Sequence, residues 1–329
     1  MTYPVNLFNC QIVNNLQKVI SANAFGAVEA GLCNEIQIID DGVHLTDIAS
    51  ICNNPITKQA EVRFSVAYGQ YLWLICDVAL RLLDRSKIEE VCRENGSTMQ
   101  QFLENIETAR LMSPKEIISR DPLSVKYLIG GNISYLSILP ELLAPDLDNK
   151  LQKALDAAKS IININSGIIE DIIAGLDMKS SYSERVNAVY CYGITFVLLH
   201  ELGHYTLGHL DTPPSVEIEE CADASAFWSI YNDISDDERF TANAGILCVF
   251  FSFLMLDPCQ EHTEDHPKDY KRLFDVYEQV KHENPKYTQL VKGLLDFWAG
   301  QSSIQEYPYD LPMSEDSIVA IKVFLESKF

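Results

Sequence analysis

Apolar positions along most of this chain recur at helical spacing. Between residues 11 and 30 they fall at 12, 13, 16, 19, 20, 24, 27 and 28, along one side of a helix. A longer, more strongly apolar run from 59 to 83 (Val62, Val66, Tyr68, Leu72, Ile75, Val78, Leu82) predicts a second helix, with shorter ones at 87–94 and 98–112. Residues 35–39 and 43–48 read differently: two short alternating runs around Asp40-Asp41-Gly42 predict a β-hairpin. A long helical pattern covers 148–176, bent near Ser166-Gly167, and another helix begins at about Ser183. After His209 the run Leu-Asp-Thr-Pro-Pro-Ser is a plain break. Helices at 216–232, 238–256, 268–283, 286–299 and 315–327 complete the chain. The expected fold is mainly α, a multi-helix core with a small β-hairpin or sheet near the N-terminus. Pro145 and the acidic residues up to Asn149 interrupt the apolar pattern. They suggest a helical region 1–147 carrying the hairpin and a helical region 148–329, either as two domains or as one.

Two stretches are apolar enough to raise the question of a membrane. Residues 186–199 are short for a span, and 241–256 are uncharged for 16 residues, below the ~20 a helix needs to cross a bilayer. Both are expected in the core, and the second leaves room for a peripheral membrane contact at most. The 47 acidic and 25 basic residues give a formal charge of -22. Such a surface argues against nucleic-acid binding, which draws on Lys and Arg, and against adsorption to anionic lipid. Nine cysteines, odd in number and with no Cys-x-x-Cys spacing, fit free thiols in a reducing cytoplasm better than a disulfide framework. The first ten residues show no signal-peptide pattern, which again points to the cytoplasm.

The chemistry concentrates in His200-Glu201-Leu202-Gly203-His204. On a helix, residues i and i+4 project from one face, so His200 and His204 can hold one metal from the same side. Two imidazoles on one rigid helix suit Zn2+. Glu201, about 100° further round than His200, can flank the metal and take a proton from a zinc-activated water as it attacks a carbonyl. The apolar run Ile194-Thr195-Phe196-Val197-Leu198-Leu199 places this helix in the core, where electrostatic effects are stronger. Gly203 leaves room for a neighbouring element.

A third ligand must lie elsewhere. The metzincin pattern wants His six residues after the second ligand with Gly three after it, but Leu210 and Leu207 stand there, and His209 and Gly208 are each one place out of register. The next helix offers Glu219-Glu220-Cys221-Ala222-Asp223. Glu219 and Asp223 share a face, in a helix that the Pro213-Pro214 break can fold back against the first. Glu219 then completes a two-His, one-Glu site, with Glu220 as the alternative, and Asp223 accepts the free N–H of a ligating His. His262 and His266 form another i, i+4 pair, read as a solvated segment because of Pro267 and the acidic surround. One of these histidines, or Tyr205, Tyr231 or Tyr270, could stabilise an oxyanion, without a pattern that selects among them. Cys221 reads as a packed small residue.

The run His-Glu-Leu-Gly-His-Tyr-Thr-Leu-Gly-His followed by Glu-x-x-Ala-Asp resembles gluzincin-type peptidases, whose third ligand is the Glu of the later motif. The layout, with the stretch from Ala60 to Trp73 ahead of a central His-Glu-x-x-His, is similar to the Lit-like phage-exclusion peptidases of bacteria (peptidase U49). That resemblance implies a latent defence protease that cleaves a host translation factor, elongation factor Tu, when phage infection supplies an activator. The ImmA-like and IrrE-like peptidases, which cleave or control repressors, share the His-Glu-Leu-Gly-His opening. They normally carry Ala-Asn where this chain has Ala222-Asp223. A zinc-binding regulatory module without turnover is the competing function, although it would have no use for a base at Glu201.

Overall fold

In a computed structural model the described residues are 36–37, 48–53, 60–94, 96, 98, 101, 181–257 and 265–329. The helices expected at 11–30, 98–112 and 148–176, the second half of the hairpin and the boundary near 147 lie essentially outside them. The described part is mostly helical, with seven helices and one small sheet.

The sheet has three strands: β1 (Ile36–Gln37), β2 (Ala49–Asn53) and β3 (Ala60–Phe64), in the order β1-β3-β2. It corrects the reading in two ways. The antiparallel pair is β2 with β3, one hairpin later than expected, whereas β1 runs parallel to β3. Residues 60–64, expected to open a helix, are a strand; the helix α1 (Val66–Glu94) begins only after Ser65, whose hydroxyl accepts the Tyr68 N–H at 3.2 Å. Ala60 to Phe64 alternates as well as it repeats helically, an ambiguity that short apolar runs carry. From Val66 onward α1 continues unbroken through the two helices expected at 59–83 and 87–94.

Helices α2 (Ser181–Thr206), α3 (Val216–Asp233), α4 (Asp236–Leu256), α5 (Asp269–Val280), α6 (Lys286–Gln301) and α7 (Glu315–Lys328) follow, close to the ranges the periodicity predicts. Ser215 caps α3, its hydroxyl accepting the Ile218 N–H, the partner that the first-turn amides lack. A short 3₁₀ turn, His209–Asp211, sits between α2 and α3.

Helices α2 and α4 lie side by side at the centre, with α1, α3, α5 and β2 packed around them. Every residue from Val189 to His200 is buried, so α2 is apolar on all sides and shows no single wet face. Among the described residues α4 alone is long and apolar enough to cross a membrane, and two thirds of its apolar window (67%) is buried against other helices. Its apolarity is accounted for by that packing. Cys76, Cys191 and Cys248 are free thiols buried in the same core, and Cys221 is a free thiol on the exposed surface.

The α2–α4 approach is set by glycines. A Cβ on Gly245 would stand 2.5 Å from the Val189 carbonyl oxygen and 2.8 Å from the Gly193 nitrogen, both backbone atoms that cannot step aside. Gly245→Ala is therefore expected to cost at least about 2 kcal/mol through overpacking, read as a lower urea midpoint at unchanged slope. An unchanged midpoint would mean that the two helices are not held at this distance.

Candidate metal centre

His200 and His204 lie in the last two turns of α2, and Glu219 sits in the first turn of α3, which folds back beside it. Close approach is possible because Gly203 faces Ala222: a Cβ there would already touch Ala222 at 3.4–3.6 Å. Across this contact the three side chains converge. His200 Nε2 is 3.1 Å from His204 Nε2 and 3.2 Å from Glu219 Oε2, and His204 Nε2 is 3.4 Å from Glu219 Oε1. Donor atoms held tetrahedrally at about 2.0–2.1 Å from zinc stand about 3.3 Å from one another. The cluster therefore fits the donor set and spacing of such an ion, and it is the one such group among the described residues. Glu220, the alternative third ligand, is exposed and outside it.

The electrostatics favour positive charge among these atoms. Burial opposes protonation of His200, but hydrogen bonds to Asp223 and Glu219 outweigh it and lift the imidazole to about 9. For Glu219 burial acts upward, and the His200 contact overrides it and keeps the carboxyl below its ordinary value. His204 is lowered, by burial and then by the His200 charge. A proton on His200 offsets the carboxylates; a divalent cation held there would do the same more fully and would displace that proton.

Around the cluster stands a set of supporting contacts. His200 Nδ1 meets Asp223 Oδ1 at 2.8 Å, as the sequence suggests. Asp223 is held from behind by Arg272 of α5, with Nε to Oδ2 and Nη2 to Oδ1 both 2.7 Å. This guanidinium is buried and lies over the rings of Phe250 and Phe253 at 4.8 and 5.5 Å. Sequence reading passes over Arg272. Its only local signal is a basic residue within the buried face of an otherwise amphipathic helix.

Glu201 stands half-buried beside the cluster, and desolvation of its carboxyl, helped by the Glu219 charge, pushes it up to about 7. The His200 charge and a hydrogen bond from the Ile51 backbone N–H act in the opposite direction. The sheet register explains that bond. Ser65 N–H donates to the Ile48 carbonyl, and pairing alternates along β2, so the Ile51 amide faces away from β3 and towards α2.

The oxyanion candidates separate in the structure. Tyr231 donates its hydroxyl hydrogen to Glu283, Tyr270 is buried against Phe274, and Tyr205 is exposed. His266 is exposed as expected, yet its Nε2 lies 3.8 Å from Glu219 Oε2, a proximity the sequence does not signal. His262 lies outside the described residues. Cys221 is exposed on α3, not packed as expected.

Residues 140–291 match the family model Peptidase U49. Over that stretch the chain resembles this peptidase family. The matched part spans somewhat less than half of the 329 residues, yet it contains His200, Glu201, His204, Glu219, Asp223 and Arg272. Helix α1 and the three strands lie before it. The match gives no support to the ImmA-like rival. No curated protein and no solved structure matches the chain.

Arg272→Ala leaves the half-buried Asp223 carboxylate without the counter-charge of the buried guanidinium. We expect a loss of about 3–5 kcal/mol of stability in the metal-free protein, measured by denaturant unfolding. A loss under about 1 kcal/mol, the size of an exposed pair, would show that Asp223 is not held in this way.

Proposed function

We propose that this protein is a U49-type peptidase, a zinc-dependent endopeptidase using His200, His204 and Glu219 as ligands and Glu201 as general base. The observation that carries this reading is the convergence of the two imidazole nitrogens and the Glu219 carboxylate at 3.1–3.4 Å, with Glu201 half-buried beside them. Zinc held there supplies Lewis acidity, acidifying water and polarising a peptide carbonyl. Glu201 takes the proton of the attacking water as the new C–O bond forms. It then hands that proton to the leaving nitrogen as the C–N bond breaks, completing hydrolysis. Its raised carboxyl suits both halves of this exchange, because a base near neutrality both accepts and releases a proton readily. The Ile51 N–H holds the carboxylate in place. Asp223 keeps the proton of His200 on Nδ1, so that the Nε2 lone pair faces the cluster. His266 is the described oxyanion candidate whose ring reaches the cluster.

For substrate, we carry over from the Lit-like resemblance the cleavage of host elongation factor Tu by a protease that stays latent until a phage-derived activator appears. The acidic surface accords with a cytoplasmic protein that acts on another protein and not on nucleic acid. A zinc-binding module without turnover is separated from this by Glu201 alone.

The test pairs metal analysis with cleavage. Purified wild type should hold one zinc per chain, and His204→Ala and Glu219→Ala should each lose it. Glu201→Gln should keep zinc while cleavage of elongation factor Tu, in lysate from phage-infected cells, falls by about 10²–10⁴-fold. Zinc retained in wild type with a Glu201→Gln variant that cleaves equally well would sink the mechanism. Absence of zinc from the wild type would sink the metal assignment.

A further inference from the structure

The two histidines of the cluster are supported differently. Each must carry its proton on Nδ1 to offer the Nε2 lone pair to a metal, since a neutral imidazole has one protonated and one free nitrogen. The Nδ1–H of His200 is received by Asp223 at 2.8 Å. Among the described residues no carboxylate takes that place at His204. Its Nδ1 lies 3.3 Å from Nδ1 of His209, the rings inclined at 66° with centroids 5.4 Å apart.

We infer that His209 is the positioning residue for His204, accepting its Nδ1–H and so fixing the ring in its ligating tautomer. This rests on the zinc reading above. Two imidazoles facing each other through Nδ1 can form this bond only if one donates and the other accepts. Ligation through His204 Nε2 assigns the donor to His204, and His209 then carries its own proton on Nε2. His209 is not a further ligand, because it meets His204 on the ring edge away from the His200–Glu219 side.

The backbone builds this contact deliberately into the end of α2. Leu207 N–H still bonds to the Gly203 carbonyl at 2.9 Å, and Gly208 N–H turns back to Tyr205 at 3.1 Å. Gly208 then takes a left-handed φ of 75° with open space around it, the turn that glycine makes at helix ends. The 3₁₀ turn that follows is closed by Thr212 N–H on the His209 carbonyl at 3.0 Å and is packed against β2. His209 is thereby returned to within reach of a residue five positions earlier. Regular helix would carry i+5 about 140° round from His204.

The experiment is zinc affinity of the full-length chain, measured by competition with a chromophoric chelator, for wild type, His209→Ala and His209→Asn. The Asn side-chain oxygen stands where Nδ1 stood and can still accept. His209→Ala should raise the zinc Kd about 10–100-fold, the usual effect of removing a partner from a ligating His. It should also alter the visible spectrum of the cobalt(II)-substituted protein. His209→Asn should recover most of both, with the metal-free Tm of the two variants alike. Wild-type affinity and spectrum in His209→Ala would overturn the assignment. So would equal losses in both variants, which would mark a merely structural role. A wild type that takes up no zinc would defeat the metal reading itself, whereas the other two results leave that reading standing.

Discussion

Arg272 and Asp223 form the interaction on which the rest of the site depends. A carboxylate at the wall of an apolar core loses most of its hydration, and unless compensated it would take up a proton or turn towards solvent. The buried guanidinium prevents both: it accounts for the lowered Asp223 carboxyl together with the His200 contact, and its planar fork fixes the direction in which the carboxylate faces. That direction is towards His200 Nδ1. One ion pair thus joins α5 to α3 and, through His200, α3 to α2. The stacking of Arg272 on Phe250 and Phe253 extends the tie to α4.

The chemistry is set in this frame by rigid elements. Helix α2 is fixed against α4 at Gly193 and Gly245, where there is no room for a side chain, and against α3 at Gly203 and Ala222. Two small-residue contacts on different sides of one helix leave it little freedom to slide or rotate. The imidazoles of His200 and His204 at its C-terminal end inherit that precision. Glu201 is held from a third direction by the edge of the sheet, so this side chain is positioned by an element outside the stretch that matches the peptidase family.

The most local parts of the site were also the most legible. His200, Glu201 and His204 belong to one turn of one helix, and their relation follows from helical geometry alone. Glu219 and Asp223 required one more step, that the Pro-Pro break folds α3 back, and the structure does bring both to the cluster. The helices from α2 to α7 followed from apolar spacing to within a few residues. The strands did not: 60–64 satisfies both periods, and what made it a strand was its pairing with β1 and β2, which no single run of residues declares.

The sequence by itself therefore determined the helical core and the one-turn relation of His200, Glu201 and His204, because these depend on spacing within one element. Only the tertiary structure decided that Arg272 stands behind Asp223, that Ile51 bonds to Glu201, and that His209 comes to rest against His204 and His266 near Glu219. Those contacts join segments separated by a turn, a loop or more than a hundred residues. Their existence depends on how whole helices and a sheet edge come to rest against one another, and a charged residue inside a buried face acquires a role only once its partner is beside it.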